Sequence, residues 1–366
     1  MTGNLPEQMR AARLYAWGDV RVEDVPVPRP GPGEIVVRVD ACGVCGSDAL
    51  VWYVERKAPA VLGHEPAGVV AAIGHGVRGL RAGDRVFVHH HAPCGTCAEC
   101  KRALWSNCAT WRATRLEPGG FAEYARVPAH VVARDTLALP EDVDIETATF
   151  IEPAACCLRA VRRQGSVRPD DAVHVVGLGA MGLLMVQLAR IEGAGYVSGS
   201  DYIDARRTLA LQLGADAVFD PGSTDVAQAV KNATGGRGAD VVLVCPGAGA
   251  AIRAGLAIAA PGARVVCFTP LPPDEPLTVD QNMLYFREIT LLQSYSCGPD
   301  ETRASLRLLA ERKLLVDSLV SHRAGLDGVG QALERARGKG EGLKTIILPG
   351  QENGVRRTPE SNSAIH

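Results

Sequence analysis

Net charge is almost absent from this chain: 39 lysines and arginines stand against 41 aspartates and glutamates, a formal balance of −2. Nucleic acid and anionic membrane surfaces draw proteins through a concentrated positive field, so neither is expected as a partner. Long apolar runs are missing too. No segment reaches the roughly 20 apolar residues that a membrane span needs, and Met1 to Arg10 carries no apolar stretch behind a basic head. The expected location is the cytoplasm. The sequence has no long internal repeat and no low-complexity block. With those classes set aside, chemistry on a small molecule is the expectation.

What is present is the composition of a soluble globular protein, 46% hydrophobic and 22% charged over 366 residues. That length exceeds one typical domain and suggests two domains sharing a cleft. Short alternating apolar runs such as Glu34 to Asp40, separated by proline and glycine, continue to about Leu139 and predict antiparallel strands. From Ala172 the texture changes to short apolar strands alternating with helical patterns, which predicts βαβ units and a parallel sheet. Strands are expected at Val173–Val176, Val197–Gly199, Val241–Val244, Val265–Phe268 and Ile289–Gln293, with helices at Met181–Glu192 and Asp300–Glu311. Lys344 to Leu348 is β-like again and could rejoin the first unit. The polar stretch 351–366 lacks periodicity and is expected to be disordered.

Eleven cysteines would suggest disulfides in a small secreted chain, but four of them crowd into Cys94, Cys97, Cys100 and Cys108. Four thiolates at that spacing can close a tetrahedral shell around zinc and leave no position for substrate, so the site would be structural. An iron–sulfur cluster and a set of unrelated buried thiols are the alternatives.

A second group is dispersed: Cys45 with Ser47 and Asp48, then His64 and Glu65, then Glu152. Cysteine, histidine and carboxylate are the donors zinc takes when one coordination position stays open for chemistry. Cys156 and Cys157 follow Glu152 closely enough for either to replace it as the third ligand. His89, His90 and His91 also suggest a metal, but surface histidines are the expectation.

Gly177-Leu178-Gly179-Ala180-Met181-Gly182 follows an expected strand and opens an apolar helix. Glycines there allow a tight turn and close backbone approach, so a pyrophosphate can rest on the helix N-terminus. Asp201, 24 residues after Gly177, ends the next expected strand, where an acid can hold the adenosine ribose hydroxyls. Its charge would repel the extra phosphate of NADP, so NAD is the expected cofactor. Arg206 and Arg207 nearby weaken that preference.

These motifs together resemble the zinc-containing medium-chain dehydrogenase family. Gly63, His64 and Glu65, followed by Gly68, Gly74 and Val77, are similar to its zinc signature, and Gly83 to Val86 to the turn after it. The resemblance spans roughly Ala11 to Leu348. It implies an α/β fold of two domains: a mainly β, GroES-like catalytic domain, 1–153 with 296–350, and a Rossmann doubly wound parallel-sheet cofactor domain, 154–295.

By the same resemblance, catalytic zinc is held by Cys45, His64 and Glu152, with Glu65 entering or leaving the shell. A second, structural zinc sits in the four-cysteine loop. Asp48 steadies His64 and Ser47 contacts the reacting hydroxyl. Loops after the later strands, at Pro246, Thr269 and Ser294, flank the nicotinamide. The implied reaction is oxidation of a secondary hydroxyl to a ketone by hydride transfer, with zinc as Lewis acid. Many relatives carry a proton-relaying histidine where this chain has Leu50.

The sorbitol-type enzymes carry an Arg-Tyr pair where this chain reads Ser294-Tyr-Ser-Cys297. The stretches Glu117 to Tyr124 and Glu152 to Cys157 are similar to the branch with cyclitol and aminocyclitol dehydrogenases. A polyol, cyclitol, aminocyclitol or amino sugar is therefore the expected substrate, with Trp52, Tyr53 and Glu117 as pocket candidates. The alternatives are a threonine-type or simple secondary-alcohol dehydrogenase and, more remotely, a non-catalytic NAD-binding regulator. Relatives of this kind are dimers or tetramers, and Ile289–Gln293 could pair across a twofold axis.

Overall fold

A computed structural model describes residues 5–337, 340, 342–352 and 355–356. Two large sheets organise them. The first has seven strands: Val320–Ala324, Lys344–Ile347, Ile35–Gly43, Glu65–Ile73, Arg85–Val88 and Thr136–Ala138 lie side by side in that order, and Tyr124–Val127 also pairs with Ile35–Gly43. Ile35–Gly43 at its centre is buried on both faces: Ile35 and Val37 pack in one cluster, Val36 and Val39 in another. Gln8–Ala16, Asp19–Pro26 and Ala60–Val61 form a smaller antiparallel sheet.

The second sheet has six parallel strands in the order Ala217–Phe219, Tyr196–Ser200, Ala172–Val176, Ala239–Val244, Ala259–Cys267 and Thr290–Gln293. This is the Rossmann order, which places a ligand crevice at the carboxyl ends of its two central strands. The fold class expected from the sequence is the one observed. The strand Ala217–Phe219 was not among those expected, because its three half-buried residues give too short a pattern.

The helix Ile151–Leu158 joins the halves. All eight of its residues are buried, and it packs against both the helix Ala180–Ile191 of the second sheet and Pro299–Ala310, which leads back to the first. Lys344–Ile347 does rejoin the first sheet, antiparallel to Ile35–Gly43. Beyond it, Gln351–Glu352 pairs with Val355–Arg356, so the disorder expected from 351 does not hold at the start of the tail; residues 357–366 lie outside the described residues. No helix among the described residues is long and apolar enough to cross a membrane.

Candidate active site and metal centres

Cys45 ends an extended segment and starts the tight turn Gly46–Ala49. Asp48 on that turn is buried; one carboxylate oxygen accepts the Cys45 N–H at 3.1 Å and the other lies 3.2 Å from His64 Nδ1. That contact fixes the ring with Nε2 free, the usual arrangement around a metal-binding histidine. Donor atoms of Cys45, His64 and Glu65 lie within 4.8 Å of one another. A thiol, an imidazole and a carboxylate converging on one point fit zinc with an open position. Burial disfavours charge on His64, yet Asp48 and Cys45 hold its pKa well above the usual value.

Glu65 is fully buried and pairs with Lys344, itself 2% exposed. Strand register sets Gly43 opposite Glu65, and a Cβ there would lie 2.0 Å from a Glu65 carboxylate oxygen. Only glycine leaves room for this ion pair. Burial raises the pKa of Glu65, and Lys344 opposes that rise.

Glu152 sits deeper. No set of donor atoms within 4.8 Å contains it together with Cys45 and His64; it clusters with His89 and His90, and with Cys156 and Cys297. The expectation of surface histidines is overturned: His89 is fully buried and His91 8% exposed, and the half-buried His90 ring stands 4.8 Å from that of His64. The strand Arg85–Val88 runs inward and delivers all three to the site. Cys157, the other alternative ligand, points its thiol at the Met181 carbonyl at 3.5 Å.

The four loop thiols converge within 4.8 Å, with Cys94 Sγ 3.9 Å from Cys100 Sγ. Thiolates around one zinc at about 2.3 Å stand about 3.8 Å apart, so the loop has the dimensions of a mononuclear site. Backbone N–H groups of Thr96 and Cys97 reach Cys94 Sγ at 3.4 Å, and that of Gly95 reaches Cys100 Sγ at 3.3 Å. Hydrogen bonds from Thr96 hold the Cys94 thiol down at about 5.

The glycine motif forms the turn after Ala172–Val176. Gly177 has φ +85°, and a Cβ on Gly182 would lie 2.0 Å from the Gly177 carbonyl oxygen. Gly179 caps Ala180–Ile191 without a side chain, so the helix start, with Leu178 before the cap and Ala180 and Met181 after it, is open. Asp201 ends the next strand and accepts N–H bonds from Leu178 at 2.8 Å and Ile203 at 2.9 Å. Arg206 lies 3.7 Å from Asp201 and donates to the carbonyls of Gly340 and Gly342. Pro246 would meet a Cβ on Gly177, and Thr269 one on Gly247. The buried Ser294 hydroxyl has no hydrogen-bond partner among the described residues, and the Ser294 N–H donates to the Cys267 carbonyl at 3.0 Å. All of these stand at strand carboxyl ends.

Comparison with known proteins decides the family. Residues 31–140 match the alcohol dehydrogenase GroES-like domain and 180–311 the zinc-binding dehydrogenase model. L-threonine 3-dehydrogenase of Pyrococcus horikoshii is 35% identical over 335 residues, covering 89% of this chain and 94% of that protein. This chain belongs to the zinc-dependent medium-chain dehydrogenases. Sorbitol dehydrogenase of Bacillus subtilis is 29% identical across 95% of this dehydrogenase and 99% of its own length. Among solved structures, a zinc-binding dehydrogenase of Sinorhizobium meliloti bound to NADP superposes with TM-score 0.84 at 32% identity, covering 94% and 100% of the two chains. An alcohol dehydrogenase of Escherichia coli with NADH gives 0.82 at 27%, again over 94% and 100%.

Around the metal position the dehydrogenase has an aromatic wall. Trp111 lies against His91 at 3.9 Å between ring centroids, and Tyr295 meets Trp111 edge-on at 5.8 Å. Tyr53 lies beneath the Lys57 ammonium; burial, with Tyr53 nearby, pushes the Tyr295 hydroxyl up to about 12, and Trp52 stacks edge-on to Tyr53 at 5.7 Å. Glu117, a pocket candidate from the sequence, is instead exposed and paired with Arg126. Sequence reasoning missed Lys344 and Cys297, for which no motif exists, and misplaced the three histidines, whose run was the available signal.

Proposed function

We propose that this enzyme oxidises a secondary hydroxyl of a polyol, cyclitol, aminocyclitol or amino sugar, with NAD as acceptor. The observation carrying this reading is the pair of partly exposed rings Tyr53 and Tyr295, backed by buried Trp111, near the buried, unpartnered Nδ1 atoms of His90 and His91. Aromatic faces suit the C–H surface of a saturated ring, while the imidazoles suit its hydroxyls.

Cys45, His64 and Glu65 would hold catalytic zinc, and Glu152 would hold a water or close the shell from the far side. Cys94, Cys97, Cys100 and Cys108 would hold a structural one. Bound zinc would supply Lewis acidity and the nicotinamide a hydride acceptor. Asp48 orients His64, and Ser47, half-buried on the same turn, receives the substrate's hydroxyl proton. With Leu50 on the familiar exit, that proton passes toward Glu65 or Glu152 and water. Asp201 orients the adenosine ribose, and its charge, beside Arg206 at 3.7 Å, opposes a 2′-phosphate. Gly177 to Gly182 receive the pyrophosphate, with Pro246, Thr269 and Ser294 around the nicotinamide. The proposed catalytic domain is 1–153 with 296–350, and the proposed cofactor domain 154–295.

The exposed edge strand Thr290–Gln293, beside exposed Tyr285 and Phe286, supports a dimer or tetramer, which light scattering tests. The greater identity to threonine dehydrogenases favours a second reading, a threonine-type or simple secondary-alcohol substrate. A reduction screen with NAD and NADP over polyols, cyclitols, aminoglycosides, threonine and simple alcohols separates them. Turnover of threonine with silence on every ring polyol would overturn the first reading.

A further inference from the structure

Behind the catalytic position lies a second convergence of metal donors. Glu152 and Cys156 are four residues apart on the helix Ile151–Leu158, so they share a face, and Cys156 Sγ stands 3.3 Å from Glu152 Oε1. Cys297 comes from the segment between Thr290–Gln293 and Pro299–Ala310. Its donor atom and those of Glu152 and Cys156 all lie within 4.8 Å. Each of the three is at least nine-tenths buried.

The fourth wall is His89. Its Nε2 lies 3.7 Å from Cys297 Sγ, and its Nδ1 is held by Asp135 at 2.7 Å. Asp135 is in turn fixed by the Thr302 hydroxyl at 2.5 Å. A carboxylate on one ring nitrogen and a thiol before the other is the arrangement that steadies a metal-binding imidazole. In a tetrahedral zinc shell, adjacent donors stand about 3.3 to 3.8 Å apart. The separations of 3.3 Å for Glu152 and Cys156 and 3.7 Å for His89 and Cys297 match that scale.

We propose that Glu152, Cys156 and Cys297, with His89 standing beside Cys297, form a second interior site for a thiol-seeking divalent cation, zinc, distinct from Cys45, His64 and Glu65. Binding would displace the two thiol protons to solvent, giving a donor set of one carboxylate and two thiolates with the His89 imidazole beside it. Glu152 stands between this site and His90, so it can turn toward either ion. In that one respect the site rests on the catalytic reading, and the test separates them.

The full chain is loaded with zinc, freed of loosely held metal by gel filtration, and counted by native mass spectrometry and elemental analysis. The parent is expected to hold three zinc ions per chain. Cys297→Ala and Cys156→Ser should each hold two, Cys45→Ala should also hold two, and the Cys45→Ala/Cys297→Ala pair should hold one. Cobalt(II) in the Cys45→Ala protein should give a thiolate charge-transfer band that weakens in Cys45→Ala/Cys156→Ser. Two zinc ions in the parent, with Cys45→Ala falling to one, would overturn the second site and leave the catalytic reading intact. A third ion unaffected by either cysteine change is an adventitious ion only and overturns the proposal as well. Should the variants fail to fold, the parent count alone decides.

Discussion

Lys344→Met removes the ammonium from a carboxylate that has no other donor among the described residues. A bare carboxylate in that interior costs several kcal/mol, so Glu65 takes up a proton instead. The cost of protonation at pH 7, starting from an ordinary value of 4.5, is about 1.4 kcal/mol per unit over roughly 2.5 units, or about 3.4 kcal/mol. For a cooperative unit of 150–250 residues this lowers the thermal midpoint by roughly 7 to 14 °C. The sign follows from the raised folded pKa. The unfolded chain releases the proton first, so the variant's deficit is negligible below about 4.5 and grows as pH rises above it, reaching about 3.4 kcal/mol at pH 7. Differential scanning fluorimetry of parent, Lys344→Met, Lys344→Arg and Lys344→Met/Glu65→Gln, all zinc-free, measures it. The arginine and the double variant should recover most of the loss. A Lys344→Met midpoint within about 2 °C of the parent at pH 7 would refute the reasoning.

Three more outcomes follow from geometry already described. Cys97→Ala should lose one zinc ion and speed tryptic cleavage at exposed Lys101 and Arg102 at least about tenfold, equivalent to ~1.4 kcal/mol of local stability; an unchanged digestion rate would count against a metal-tied loop. Asp201→Gly should lower kcat/KM with NAD by about tenfold or more and raise it with NADP, and equal losses with both would remove Asp201 from ribose recognition. His174, buried between Ser198 and Ser200 at 2.8 and 3.1 Å, is pushed down by burial to about 3. Its folded pKa lies below its unfolded one, so stability is lost as pH falls from about 6.5, by about 2 kcal/mol at pH 5. His174→Asn should melt with a shallower acid slope, and parallel slopes would exclude this histidine.

The Rossmann half was the more legible part of the sequence. Its strands are buried on both faces and read as continuous apolar runs bounded by glycine, and Gly177 to Gly182 mark the crevice by backbone needs that only glycine meets. Cys45 and His64 were legible because zinc restricts the donors and Asp48 lies three residues beyond the thiol. The histidine run was misread because charge pattern alone cannot tell an outward strand end from one that turns inward beside Asp135. Lys344 gives no local sign either: a lysine before Thr-Ile-Ile reads as a strand edge until the register with Gly43 is known. Glu152 was found by motif, but the direction of its carboxylate depends on Cys156 and Cys297, the second of them 145 residues away.

The strand Lys344–Ile347 lies next to Ile35–Gly43 although about 300 residues separate them. Synthesis therefore finishes the six-stranded sheet while the first sheet still lacks an inner member. Until Lys344–Ile347 leaves the ribosome, Glu65 has no ammonium beside it and that edge of Ile35–Gly43 is open. At 5–20 residues per second that interval is on the order of tens of seconds. Catalytic competence is thus withheld from every incomplete chain, and a nascent chain stopped before Lys344 should bind dinucleotide yet turn over nothing.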